Sequence, residues 1–236
     1  MDNNGSKEKK GSDRQPRLLD LFCGGGGAAM GYYRAGFEVV GVDICPQPNY
    51  PFSFHLADAI KYSLNGFDVI HASPPCQKHS TLKHLTGHNY VCFIDPIRQR
   101  LKKWDGIWVI ENVVGAPLLN PVQICGSVFG LAVRRHRLFE SNIYLTCTGC
   151  DHASQPAPID VSGIGGRRLG ARLDGKGGNS RKPRNLDEAR EAMGISWMTR
   201  KELSQAVPPA YTEFLGLQLR AALMVRQAQG KHQLGD

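Results

Sequence analysis

The 236-residue sequence lacks features that would place it in a membrane, among disulfide-rich secreted proteins or among nucleoside triphosphatases. No apolar run approaches the roughly 20 residues of a membrane-spanning helix. The seven cysteines have no regular spacing and no secretory signal is recognisable, so we expect a reduced, cytoplasmic protein without a disulfide framework. No glycine-rich loop ends in Lys-Ser/Thr, which disfavours a nucleoside triphosphate ligand.

Acidic residues are also scarce relative to basic ones, 21 against 29, which gives a formal net charge of +8. This excess favours a polyanionic partner, although many unrelated soluble proteins share it. The length suits one domain with a full core. We expect a disordered polar tail over residues 1–15, a core over 16–140, a basic insertion over 141–184, and closing helices over 185–236 that return to the core.

The first pattern in the core is a strand, a glycine-rich loop and a helix. Arg17 to Phe22 predicts a buried strand, Cys23 to Gly27 contains four glycines, and Ala28 to Ala35 predicts a helix. Glycines let the backbone turn tightly and approach a ligand, and the helix start offers free N–H groups. Dinucleotide and phosphate sites share this pattern, so it is a weak signal alone.

Two aspartates follow the next two predicted strands. Asp43 follows the strand Phe37 to Val42, and Asp58 ends a short strand that begins at Phe54. An acid at the first place can accept hydrogen bonds from ribose hydroxyls, and the second can accept one from an adenine amino group. Each aspartate alone is equally well explained as a turn or helix-cap residue.

A cysteine lies on a stiff turn after a further buried strand. The strand covers Phe67 to Ala72, Pro74 and Pro75 then end it, and Cys76 comes next. Ligands of open α/β sheets bind at this carboxyl edge, so the thiol is a candidate nucleophile. The alternative is a small buried cysteine that only packs.

These blocks resemble a known family. Residues 20–27 (Asp-Leu-Phe-Cys-Gly-Gly-Gly-Gly), 73–77 (Ser-Pro-Pro-Cys-Gln) and 111–113 (Glu-Asn-Val) resemble the signature blocks of DNA cytosine-5 methyltransferases of small bacterial or phage type. The resemblance implies a Rossmann-like α/β fold with a mostly parallel sheet and a small basic target-recognition insertion. It implies double-stranded DNA as partner and S-adenosylmethionine as cofactor. The implied cofactor residues are Phe22, Gly24, Gly26, Asp43, Ile44, Asp58, Pro75, Gln205 and Val207.

The same resemblance assigns a catalytic group. Cys76 would be the nucleophile, and Glu111, after the strand Trp108 to Ile110, would hydrogen-bond cytosine N3 and the exocyclic amine as charge builds. Arg135 and Arg137 match the family's Gln-x-Arg-x-Arg block, whereas Val133 replaces its glutamine. The alternatives are a surface salt bridge for Glu111 and a phosphate-binding patch for the arginines.

The chain after Ser141 is expected to meet the nucleic acid. Residues 141–184 carry seven basic and three acidic side chains and few apolar ones, where the family has its target-recognition region. A disordered loop without base recognition is the alternative. Ser204 to Pro209 is similar to the family's closing Gly-Asn-Ala-Val-Pro-Pro block. The predicted nucleic-acid contacts are Gln77, Ser80, Arg167, Arg168 and Arg172.

A Cys-x-x-Cys pair lies at the start of this insertion. Cys147, Cys150 and His152 could supply three zinc ligands. A second pair does not follow and a fourth ligand is not evident, so we predict no metal site and keep these three as candidates.

Three other functions stay open at this stage. The recognition segment is so short that tRNA cytosine is an alternative substrate. The departures at Val133, Ser204 and Gln205 leave room for a catalytically silent DNA-binding protein. A metal-stabilised nucleic-acid adaptor built around Cys147 would leave the glycine loop unexplained. We expect a monomer.

Overall fold

The computed structural model describes residues 14–75, 92–155, 157–162 and 180–232. Its centre is a seven-stranded sheet with the strand order β3-β2-β1-β4-β5-β7-β6. The strands are β1 (Arg17–Leu21), β2 (Glu38–Asp43), β3 (Ser53–Leu56), β4 (Val69–Ala72), β5 (Ile107–Val113), β6 (Val122–Ile124) and β7 (Arg137–Ser141).

The first five strands are parallel, and β7 runs antiparallel to both β5 and β6. The parallel strands therefore end at one common edge, where the predicted functional residues follow them. The mostly parallel α/β sheet predicted from the sequence is confirmed.

Helices cover both faces of the sheet. They are α1 (Gly27–Arg34), α2 (Ile94–Lys102), α3 (Leu186–Met193), α4 (Arg200–Gln205) and α5 (Pro209–His232), with a 3₁₀ turn at Gly126–Phe129. Leu18 packs into the cluster under α1 and α5, whereas its neighbour Leu19 packs into the cluster under α2. This alternation explains why the central strands are mostly apolar on both faces. Asp20 of β1 and His71 of β4 are buried polar exceptions whose Oδ1 and Nδ1 atoms lie 2.8 Å apart.

A third apolar cluster joins the end of the insertion to the closing helices. Ile159 and Val161 pack with Val133, Met193 and Leu203. Ile159 also forms an isolated bridge with Arg181. The part of the predicted insertion around Ile159, Val161 and Arg181 is thus built into the fold on the side of α3 and α4.

Side-chain caps mark the starts of the two short closing helices. Asn185 accepts a hydrogen bond from the Glu188 amide at the start of α3, and Gly194 ends it in the left-handed conformation. Thr199 and Glu202 form a capping box at the start of α4. Within the described part of the chain, none of the helices combines the length and the apolar character that crossing a bilayer requires.

Candidate active site

The carboxyl ends of β1 and β2 are tied together at the glycine loop. One carboxylate oxygen of Asp43 accepts the Gly24 amide at 3.1 Å, and the other accepts the Cys45 amide at 2.9 Å. The loop and the aspartate therefore hold each other in place. A carboxylate accepts several hydrogen bonds, so Asp43 keeps capacity for hydroxyl donors.

The glycine loop has a backbone that few other residues would adopt. Gly24 and Gly26 have φ of +48° and +83°, and Phe22 before them has φ of +59°. A Cβ at Gly26 would lie 2.7 Å from the Pro51 ring, whereas one at Gly24 would meet nothing within 4 Å. The strained Phe22 and the open space beside Gly24 fit close approach of a ligand to the backbone.

Beyond Asp43 the edge of the sheet presents an exposed apolar side chain between two acids. Ile44 is 73% exposed, an unusual state for its size. Asp58 lies beyond β3 and is partly exposed; one of its oxygens accepts the Ile60 amide at 2.9 Å, and Lys61 lies 3.6 Å from the other. An apolar surface flanked by carboxylates fits a nucleoside, whose base packs and whose hydroxyl and amino groups donate.

The closing segment reaches the same loop from the other end of the chain. The Trp197 indole donates to the Gly25 carbonyl at 2.9 Å. The Val207 carbonyl lies so close to Gly27 that a Cβ there would be 2.4 Å from it. Val207 is buried against the start of α1, whereas Gln205 is exposed at the end of α4.

The proline turn after β4 is held by both neighbouring strands. The Ser73 amide donates to the Leu21 carbonyl at 3.1 Å, and the Asn112 side chain donates to the Pro74 carbonyl at 3.0 Å. Pro75 is exposed at this edge. Asn112 is 1% exposed, so its amide clamps the end of β5 to the turn from within the structure.

Several predicted residues lie outside the described part of the chain. They are Cys76, Gln77, Ser80, Arg167, Arg168 and Arg172. Their roles stay predictions. The described residues fix the point from which Cys76 departs, since it follows Pro75 directly.

Two predicted catalytic residues pair with each other on β5 and β7. Glu111 belongs to β5 itself, where the sequence placed it after the strand, and Arg137 begins β7. Glu111 is paired with Phe139 across the two strands, so Arg137 is its diagonal neighbour. The Arg137 guanidinium lies 3.0 Å from the carboxylate, and the two side chains are 15% and 8% exposed. The pair is therefore largely buried, unlike the surface salt bridge considered above.

Arg135 makes different contacts from Arg137. Its guanidinium donates to the carbonyls of Ser204 and Ala206 at 2.6 and 2.7 Å. Its φ is +36°, which is rare for a residue with a side chain. These bonds fasten the arginine block to the closing segment, so they favour a positioning role for Arg135; its predicted contact with the base stays a prediction.

Two residues that hydrogen-bond to the backbone in and near the arginine block belong to no motif recognised in the sequence. The Tyr211 hydroxyl, on α5, lies within hydrogen-bond distance of the carbonyls of both Arg134 and Arg135. The Gln155 amide donates to the carbonyls of Leu131 and Val133. Gln155 thus holds the backbone where the resemblance led us to expect a glutamine at position 133. The partners in each of these contacts are more than 20 positions apart in the sequence, so no local sequence pattern could indicate them.

Another cysteine of the site region is unsuited to nucleophilic attack. Cys23 is 8% exposed beneath the glycine loop. Burial, aided by the charges of Asp20 and Asp43, raises the pKa of its thiol far above the usual range. It therefore stays protonated, and a thiol is a poor nucleophile.

The fold brings together a set of possible metal ligands that differs from the one suggested by the sequence. Cys150 and His152 lie together with Cys125 and His136, and the four ligand atoms are all within 4.8 Å of one another. Cys147 lies outside this group and packs against the main core instead. The local Cys-x-x-Cys spacing could not indicate this group, because Cys125 and His136 are distant in sequence from Cys150 and His152.

A separate cleft of about 480 Å³ lies at the opposite end of the sheet. It is lined by residues such as Trp108 at the start of β5 and Ser141 at the end of β7. Within the described part of the chain, none of the predicted catalytic or cofactor residues lines it, so we do not assign it to this site.

The geometry was compared with known proteins. The sequence matches no protein-family model, and no curated protein matches it. Among solved structures, a candidate DNA modification methyltransferase encoded within an E. coli prophage is similar with a TM-score of 0.59 and 15% identity. The Dnmt2 methyltransferase of S. pombe and the methyltransferase EhMeth of Entamoeba histolytica both give a TM-score of 0.54, at 13% and 12% identity. Each alignment covers 89% of this chain and 99% of the other.

The chain has the fold of these methyltransferases. At such identities the likeness concerns the fold alone, and the alignment includes nearly all of each compared chain. The predicted Rossmann-like methyltransferase fold is confirmed. Activity has to be argued from the site, because one fold supports many functions.

Proposed function

We propose that this protein transfers a methyl group from S-adenosylmethionine to C5 of cytosine in DNA. The observation that carries the proposal is the buried Glu111–Arg137 pair on β5 and β7, since the next residue of β5, Asn112, fastens the strand to the proline turn that leads to Cys76. Carboxylate, guanidinium and thiol are the three groups that cytosine activation needs, and a methyltransferase fold holds two of them at one edge. The named solved neighbours are DNA-modifying or other methyltransferases, which supports the same class.

The described residues fit the proposed cofactor. Phe22, Gly24 and Gly26 would line the methionine and adenosine part, Asp43 would accept the ribose hydroxyls, and Asp58 the adenine amine. Ile44 and Pro75 add apolar surface, Val207 packs beside the loop, and Gln205 lies at the rim. When bound, S-adenosylmethionine supplies an electrophilic methyl group.

The protein's own residues would prepare the cytosine. The Cys76 thiolate adds to C6 and forms a carbon–sulfur bond, which pushes negative charge toward N3. Glu111 hydrogen-bonds N3 and the exocyclic amine and shares a proton as this charge develops. C5 thereby becomes enamine-like and nucleophilic. C5 would then bond to the methyl group as the methyl–sulfonium bond breaks, which leaves S-adenosylhomocysteine. Loss of the C5 proton to water would re-form the C5–C6 double bond and expel Cys76 as a thiolate.

The arginines would hold and polarise the base. Arg137 orients Glu111 in the described structure, and its remaining donors are suited to cytosine O2. A nearby guanidinium also favours the thiolate form of a cysteine. C6 is inaccessible in a stacked duplex, so the target base would be flipped into the site. Gln77, Ser80, Arg167, Arg168 and Arg172 would contact the surrounding nucleic acid.

Transfer to tRNA cytosine is the second candidate, favoured by the shortness of residues 141–184, which leaves little protein to recognise a duplex sequence. Purified protein incubated with labelled S-adenosylmethionine and either cytosine-containing duplex DNA or tRNA discriminates the two. Label in DNA as 5-methylcytosine supports the main proposal. Label in tRNA alone would replace it with the second.

Cys76→Ser tests the covalent step. We expect loss of methyl transfer with cofactor binding near normal, because serine is a far weaker nucleophile at neutral pH. Binding is measured by equilibrium dialysis and transfer by the labelled assay. Cys147→Ser is the matched control, since Cys147 packs away from the site and should leave transfer unchanged. Full activity of Cys76→Ser would contradict the proposal.

A further inference from the structure

Four metal-ligating side chains meet beside the arginine block. Cys125 follows β6, His136 precedes β7, and Cys150 and His152 lie on the segment that follows β7. One ligand atom from each lies within 4.8 Å of the other three. None of the four is a predicted cofactor or catalytic residue.

The closest separations are those of a tetrahedral zinc site. Cys125 Sγ is 3.3 Å from His152 Nε2, and Cys150 Sγ is 3.3 Å from His136 Nε2. Zinc bound at about 2.3 Å to sulfur and about 2.0–2.1 Å to nitrogen places its ligand atoms roughly 3.3–3.8 Å apart. The two imidazole rings stand at 67° to each other with centroids 5.1 Å apart, so they are not stacked face to face.

The surroundings suit sulfur in its ionised form. The Ser127 hydroxyl donates to Cys125 Sγ at 3.3 Å, and the Gln123 amide points at Cys150 Sγ from 3.9 Å. Such donors support metal-bound thiolates. As a thiol, Cys125 also lies 3.1 Å from the Arg134 carbonyl and donates to it. Metal binding would release that proton and replace this bond with a metal–sulfur bond.

We propose that Cys125, His136, Cys150 and His152 form a structural zinc site. Two thiolates and two imidazoles are the ligand set of closed structural zinc centres, and two negative charges balance the dication. Four protein ligands leave no open position for a reacting water, so the metal would be structural and not catalytic. This inference does not depend on the proposed methyl transfer.

The zinc would fasten three separate segments around the arginine block. His136 lies between Arg135 and Arg137, next to the residue with the left-handed backbone. Tyr211 already holds the carbonyl of Arg135 through its hydroxyl. A metal bond through His136, anchored to Cys125 and to the exposed loop of Cys150, would fix this turn further and stabilise the fold locally.

Metal analysis of the full-length protein tests the site. Protein purified without chelators, or reconstituted with zinc and desalted, should retain about one zinc per chain. Replacement by Co(II) should give the visible absorption of a tetrahedral site together with a thiolate-to-cobalt charge-transfer band. Removing the metal with a strong chelator should lower the melting temperature, and added zinc should restore it.

The chain offers a matched pair of cysteines three residues apart. Cys150→Ser and, independently, His152→Asn should each lose most of the bound zinc, whereas Cys147→Ser should retain it. Absence of zinc from both the purified and the reconstituted wild-type protein would overturn the proposal. Equal loss of zinc in Cys147→Ser and Cys150→Ser would also overturn it, because the ligand set would then be wrong.

Discussion

At the residue scale, the decisive contact is that between Glu111 and Arg137. A carboxylate on a side chain only 8% exposed is costly to hold as a charge unless a cation accompanies it. Arg137 meets that need in the described structure, at the place where the base would enter. The ion pair therefore stabilises the fold and also has a proposed chemical role. A useful substitution must remove the chemical role while keeping the fold.

Glu111→Gln is suited to this separation. The amide keeps the volume and still accepts a hydrogen bond from Arg137, but it cannot share a proton with cytosine N3. We expect a methyl-transfer rate lower by about 10²- to 10⁴-fold, the usual contribution of a general acid–base group. Single-turnover transfer to a cytosine-containing duplex measures it.

The control for this change is Glu38→Gln, which removes an exposed glutamate paired with Arg17 at the start of β2. It should leave the rate unchanged, since exposed pairs contribute little. Circular dichroism of both variants reports the fold. A Glu111→Gln enzyme with the wild-type single-turnover rate would remove Glu111 from the proposed chemistry.

At the element scale, a buried ion pair fixes α2 to β7. Both carboxylate oxygens of Glu140 accept from the Arg98 guanidinium at 2.7 Å, and the Leu119 amide adds a bond of 2.8 Å. The two side chains are 7% and 3% exposed. Because Glu140 follows the arginine block along β7, this network also holds the strand that presents Arg137.

Glu140→Ala should therefore be strongly destabilising. It leaves Arg98 as a buried cation with its main partner removed, and breaking such a pair costs about 3–5 kcal/mol. Urea unfolding at neutral pH measures the change. Glu38→Ala, which breaks an exposed pair, should cost at most about 1 kcal/mol. Similar costs for the two variants would show that the Arg98 pair is not buried in solution.

The elements also show what the sequence could and could not reveal. Each parallel strand and the functional residue at its carboxyl end, such as Asp43 in β2, could be predicted because the apolar run and the turn are local. The position of β7 could not, since it is inserted antiparallel between β5 and β6. For the same reason, Cys125 and His136 were missed as neighbours of Cys150. Their proximity exists only after β6 and β7 pair.

At the scale of the whole molecule, the last third of the chain completes a site that the first third begins. Trp197 reaches the glycine loop, and both oxygens of Glu202 accept from the Asn49 side chain at 3.1 and 3.0 Å. The closing helices must therefore be docked for the loop to take its observed form. Their docking depends in turn on the chain that enters α3.

Glu188 holds in place the segment that leads into α3, and it makes the stability of this connection dependent on pH. It is 9% exposed and pairs with Arg181 at 2.7 Å and with Arg184 at 2.9 Å, and it also accepts the Arg184 amide. The hydrogen bond from Arg181, followed by those from Arg184, lowers the pKa of Glu188 far below its usual range. Arg181 also belongs to the bridge with Ile159, so the pair links the insertion to the closing helices.

A lowered folded-state pKa means that the folded protein binds the proton less tightly than the unfolded chain does. The stabilisation is then fully present above the unfolded pKa of about 4.3 and is lost as the pH falls toward the folded value.

We expect Glu188→Gln to lower the melting temperature at pH 7, and the difference from wild type to shrink steadily below about pH 4.3. Thermal unfolding from pH 7 to pH 3 measures it. Glu191→Gln, on an exposed position of the same helix, should track the wild type throughout. A Glu188→Gln deficit that stays constant across this range would mean that packing around position 188, and not the charge, links the insertion to the closing helices.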